Sequence, residues 1–173
     1  MRNRCRIEAS RLRERVIMKF DYNSATFDEL DEKAVQQLIF DDKGVFSLLK
    51  GHLLIEGILD TLIARNLKYP NRLLNKRQIT FDFKIDLLRS LDAIPEKFVS
   101  PIKALNKLRN NLAHIEEHDI TMDDLRKLQL EWEEIQKQAF IMAYKKNGIG
   151  EAATVATLFL VWRCLHLISK PTS

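Results

Sequence analysis

One stretch of this 173-residue chain concentrates residue types able to do chemistry: Leu105-Asn106-Lys107-Leu108-Arg109-Asn110-Asn111-Leu112-Ala113-His114. Arg109 is a permanent, planar, forked cation that suits phosphate. His114 can give or take a proton near neutral pH. A guanidinium and an imidazole are sufficient equipment for cutting RNA without a metal, and Asn106 and Asn110 add amides beside them. The spacing has a limit, however. On a helix turning about 100° per residue, Arg109 and His114 stand roughly 140° apart, so a single helix makes a poor two-group site. A two-fold homodimer repairs this by pooling two arginines and two histidines. The plainer alternative is that the spacing is chance, and that His114 serves only the favourable electrostatics of a helix C-terminus.

The helix that carries this stretch is expected to begin at Ser100-Pro101, a cap followed by proline in the first turn, and to reach about Glu117. Ile102, Leu105, Leu108, Leu112 and Ile115 form its apolar stripe, with Arg109 at the edge. A preceding helix, about Val45 to Asn66, repeats Leu48, Leu49, Leu53, Leu59, Leu62 and Ile63 at helical spacing. His52, Glu56 and Asp60 share one face of it. Charges inside an apolar stripe need partners, because an unpaired buried charge costs several kcal/mol, order of magnitude. Arg109 is the expected partner of Glu56, either aiming the guanidinium or serving only the fold. His52 reads as a core-edge histidine whose hydrogen bonds are satisfied.

The remaining pattern is also helical. Thr26-Phe27-Asp28-Glu29 is a capping box opening a short acidic helix to about Phe40. Gly44 breaks the pattern. Thr80 caps a helix over Phe81 to Leu91 with an apolar face of Phe83, Leu87, Leu88 and Leu91. A long helix runs from Thr121 to about Lys146. Ala152 to Ile168 is the most apolar segment, but it is at the short limit for a membrane span, and Arg163 and His166 interrupt it. It is expected to be a core or oligomer helix, with no membrane contact.

Composition agrees with an all-α fold. Gly and Pro number only five and four, and Leu outweighs Val. The expected organisation is a basic extension over 1–24, a helical bundle over 25–147 and an apolar C-terminal helix over 148–173. The extension carries seven basic residues through Lys19, with no apolar run behind them, so a secretory signal is not expected. It is either an arm that touches nucleic acid or a solvated helix. Lys68, Arg72, Lys76 and Arg77 make a second basic stretch, a candidate RNA contact. The formal charge of +4 fits a polyanion partner without requiring one. Cys5 and Cys164 give neither zinc spacing nor a disulfide framework, which points to a cytoplasmic protein with no metal and no cofactor.

At Arg109, Asn110 and His114 the chain resembles the HEPN superfamily, small all-helical proteins built around an Arg-(four to six residues)-His motif. The resemblance spans about residues 44 to 130: a long helix with an internal acid, a turn, the Phe83-Lys84-Ile85-Asp86-Leu87-Leu88 helix, the motif helix, and a helix starting at Thr121-x-x-Asp124. The layout is similar to the mannitol operon repressor branch and to stand-alone HEPN proteins. The resemblance implies an antiparallel helical bundle of about five to six helices that dimerises through the motif helices. It implies metal-independent endoribonuclease activity in active members, many of them toxins neutralised by an antitoxin or defence effectors. His114 would then act as general base or acid around the ribose 2′-hydroxyl, Arg109 would stabilise charge on the phosphate, and Asn110 would orient His114 or bind substrate. Glu116 stands where several toxin members carry a tyrosine, which argues against that branch. The repressor-like branch implies a non-catalytic regulator of transcription or a partner-binding module instead.

Overall fold

Thr26 and Thr121 start helices in the same way. The Thr26 N–H donates to Glu29 Oε2 at 2.8 Å while the Glu29 N–H donates back to Thr26 Oγ1 at 3.4 Å. Thr121 and Asp124 repeat the exchange at 3.2 Å in both directions. Each pair satisfies two backbone donors that a helix start leaves without partners. The structure, a computed structural model, describes residues 25–32, 44–75, 79–114 and 119–169, with Ala113 and His114 described in backbone only. Residues 1–24, and with them the basic extension, lie outside the described residues.

The described elements are helices α1 (27–32), α2 (Gly44–Asn66), α3 (Asn71–Leu74), α4 (Phe81–Ser90), α5 (Glu96–His114), α6 (Met122–Arg126), α7 (Glu134–Asn147) and α8 (Ile149–Leu165). No strand occurs among the described residues. The fold is all-α.

Helix α2 is the axis of the molecule, packed by α8 on one side and by α4 and α5 on another. Its seam with α8 is made of small residues. Gly44 lies against Gly150, Gly51 against Thr157, and Thr154 Oγ1 donates to Ser47 Oγ at 3.0 Å. At the far end Arg65 Nη1 donates to the carbonyl of Ile168 at 2.7 Å. These contacts advance in the same direction along both chains, so α2 and α8 run parallel. A side chain at Gly44 would strike the Gly150 backbone, and one at Gly51 would strike Thr157 Cγ2. Gly44 therefore opens the helix instead of breaking it.

Helix α8 is core. It buries Ala152, Ala153, Ala156, Leu160, Val161, Cys164 and Leu165, and no described helix is long and apolar enough to cross a membrane. Burial pushes the Cys164 thiol pKa well above its ordinary value, so the thiolate is scarce.

Two expected helix boundaries and two expected apolar faces are corrected. Helix α5 begins at Glu96, behind Pro95, and Pro101 sits inside it. A proline there, in the second turn, removes the bond to the Lys97 carbonyl and crowds that carbonyl. The single helix expected from Thr121 to Lys146 is two, α6 and α7. Between them Glu131 takes φ 48°, which drops Trp132 into the core against Phe140 and Phe159 at 5.1 and 5.4 Å between ring centroids. The apolar face of α4 is Phe81, Ile85 and Leu88 with Lys84 among them, whereas Phe83 and Leu91 are exposed. On α2, Leu48, Leu59, Leu62 and Ile63 are buried as expected, but Leu53 faces out at 64% exposure.

Candidate functional site

Of the expected stripe on the motif helix α5, Ile102, Leu105 and Leu108 are buried, Leu112 packs at the core edge, and Ile115 lies outside the described residues. That fixes where its polar residues go. Asn106 reaches the seam with α2, where its Oδ1 meets His52 Nε2 at 2.9 Å. Its Nδ2 donates to Asp82 Oδ1 on α4 at 3.2 Å. One amide thus ties three helices together. An amide oxygen only accepts, so His52 carries its proton on Nε2 in this arrangement. The imidazole stacks on Phe81, 4.2 Å between centroids. Burial lowers its pKa below 6.5, opposed by the Asn106 bond and the Glu56 charge and assisted by Arg109 and Lys84. His52 is the satisfied core histidine that its position predicted.

Glu56 does not pair with Arg109. Lys84 takes that place, with Nζ 2.8 Å from Glu56 Oε1 and 2.7 Å from Asp60 Oδ1. Burial alone would lower the Lys84 pKa, but the Asp60 and Glu56 carboxylates outweigh it and hold it above 10.5. The face shared by His52, Glu56 and Asp60 is therefore real, and its cation comes from α4.

Arg109, partly buried, donates from Nη1 to Asn110 Oδ1 at 3.0 Å. Helix α5 is described as far as His114, whose side chain lies outside the described residues. Beside Asn106, an open cleft of about 490 Å³ lies between α4 and α5, lined by Asp82, Asp86, Lys103, Asn106, Lys107, Asn110 and Asn111. Lys103 Nζ sits 2.7 Å from Asp86 Oδ1.

Two carboxylates offset two ammonium groups, and three amides supply both donors and acceptors. Such a lining suits a polar surface of mixed charge better than a run of phosphates. The structure brings Asn106 and Asn110 to this cleft, while Arg109 is not in its lining. Sequence reasoning missed Asp82, Asp86, Lys103, Lys107 and Asn111. Their signal was the matching pair of four-residue spacings, acidic on α4 and basic on α5.

Of the other candidate RNA contacts, Lys68 and Arg72 flank the exposed Tyr69 ring, 5.4 and 4.5 Å from its centroid. Neither lines the cleft. Lys76 and Arg77 lie outside the described residues. Among the described residues, no group of three or more His, Cys, Asp or Glu could hold a metal ion.

No family model and no curated protein sequence matches the chain. Its fold does have solved counterparts. MtlR, in the MtlR–HPr complex from Escherichia coli, is similar with a TM-score of 0.60 at 11% identity, over 82% of this chain and 99% of that one. YggD from Shigella flexneri 2a, described as a possible transcriptional regulator, is similar with a TM-score of 0.63 at 13% identity, over 84% and 98%. The expected all-helical architecture is thus the one the chain adopts, shared with these two proteins along nearly their whole length.

Proposed function

We propose that the protein is a non-catalytic cytoplasmic regulator that works by binding a protein partner over the α4–α5 face. The observation that carries this reading is how the polar groups around the motif are used. Asn106 is held by His52 and Asp82, Lys84 by Glu56 and Asp60, and Arg109 bonds to its neighbour Asn110. What remains open is a charge-balanced cleft with both signs on its rim, a surface suited to a folded protein of complementary pattern. The likeness of the fold to MtlR, which was solved with the protein HPr bound, and to YggD supports the same reading.

Calorimetric titration with purified HPr tests it. Micromolar binding, weakened at least tenfold by Lys107→Glu, is the expected result. A titration that stays silent at millimolar HPr defeats an HPr-type partner.

A second reading, a metal-independent endoribonuclease with Arg109, Asn110 and His114 as its catalytic residues, is favoured by one observation: α5 presents the motif amide Asn110 to an open cleft. It requires a homodimer over α5, and a toxin of this kind would have an antitoxin partner. Incubation with single-stranded RNA and a chelator separates the two readings. Cleavage that disappears in His114→Ala establishes the nuclease, and intact RNA leaves the regulator.

A further inference from the structure

Helix α7 packs along α8 but fully buries few of its own side chains. It spans 14 residues and fully buries only Phe140. Ile135 and Met142 are 72% and 68% exposed, and Ile141 and Tyr144 are exposed as well. An amphipathic helix on a closed surface turns such residues inward. Here Ile135, Ala139 and Met142, at i, i+4 and i+7, form a stripe centred about 130° from Phe140 by helical geometry, with Ala139 half-buried between the two exposed side chains. Ile135 also meets the exposed Trp162 of α8 in one groove of about 310 Å³, whose rim is polar with Glu133, Gln136, Arg163 and His166. Contiguous exposed apolar surface of this kind marks an interaction site.

Charge on the helix identifies what fits there. Glu133 and Glu134 stand at its start, 3.8 Å from Arg163 and Lys137 respectively, and Lys145 and Lys146 at its end, with no acid in between. We infer that α7 pairs antiparallel with α7 of a second copy of this chain across a two-fold axis near Ala139. In that arrangement Ile135 of one copy meets Met142 of the other. The acidic start of each helix lies beside the basic end of its partner, and the helix dipoles oppose. A two-fold interface must be self-complementary, and this face is so in both apolar pattern and charge. Ala139 at the axis permits the 8–10 Å approach of packed helices. A parallel pairing would set lysines against lysines. The axis differs from that of a dimer built on α5, and α7 packs on α8, so the α4–α5 cleft stays open in both copies.

A helix of 14 residues is about 21 Å long. The strip is smaller than a standard interface of roughly 800 Å² per partner, so the expected dissociation constant is micromolar. Sedimentation velocity across a concentration series should show a monomer–dimer equilibrium. Met142→Glu, on the exposed face, should weaken it at least tenfold with unchanged circular dichroism.

Lys146→Glu and Glu134→Lys should each weaken self-association, and an equimolar mixture of the two should restore it. In a Cys5→Ser background, oxidation should cross-link Ala139→Cys to a covalent dimer. The inference is overturned by a protein that stays monomeric at millimolar concentration, by a dimer untouched by Met142→Glu, or by cross-linking at Lys107→Cys in place of Ala139→Cys.

Discussion

Asn106 shows how much one side chain can carry: its single amide links the buried imidazole of α2 to the carboxylate of α4. The sequence marked Asn106 as a neighbour of the motif and His52 as a core-edge residue, but nothing in their spacing joined the two, because hydrogen bonds between residues 54 apart leave no local pattern. The same is true of Glu56. Its need for a cation was legible from the apolar residues around it; that Lys84, and not Arg109, answers it depends on how α4 lies across α2.

The link has a pH signature. The folded pKa of His52 is below 6.5, so as pH falls the unfolded chain takes up its proton first. Stability is then lost below about pH 6.5 and is unaffected by this group above it. The midpoint of thermal unfolding is expected to be lower at pH 5.5 than at pH 7.5. In His52→Gln, which keeps an amide donor toward Asn106, that difference should shrink. An unchanged pH profile in the variant would assign the effect to other groups.

At the scale of elements, the seam between α2 and α8 is the most demanding contact. Gly44, Ser47 and Gly51 fall at i, i+3 and i+7; of these only Gly44 was read in the sequence, as a break, since a stripe of small residues on a helix acquires meaning only from the helix facing it. Gly51→Ala gains roughly 1 kcal/mol of helix propensity, yet its methyl collides with Thr157 Cγ2. Overpacking costs about 1–3 kcal/mol, so a net loss of stability is expected in denaturant titrations. Thr157→Ser removes that methyl and keeps the hydroxyl that donates to the Ala153 carbonyl at 2.7 Å. The double variant Gly51→Ala/Thr157→Ser is expected to recover most of the loss, and simple additivity of the two changes would contradict the packing account.

The caps at Thr26, Thr80 and Thr121 were legible because capping is local. The break at Glu131 was not, because a non-glycine residue takes a positive φ there only under the pull of a buried Trp132.

For the whole molecule, the expected bundle over 25–147 leaves out the helix that closes the core. Helix α8 covers α2 along its length and carries α7, and residues 152–165 supply a large share of the buried apolar side chains. A chain cut after Asn147 is expected to lose cooperative thermal unfolding and much of its far-ultraviolet helical signal. A sharp transition in the truncated protein would show that the remaining helices close a core without α8. The apolar character of 152–168 was evident from the sequence. Its position, parallel to a helix about a hundred residues earlier, was not, because the register of long-range packing is set by shape.

That placement also governs how the protein is born. Ser47 meets Thr154 and Arg65 meets Ile168, so the groove on α2 stays uncovered until α8 leaves the ribosome. Synthesis at about 5–20 residues per second keeps that groove exposed for several seconds, and completion of this core is deferred until α8 has emerged. A nascent chain stalled before residue 150 is expected to remain a client for chaperones.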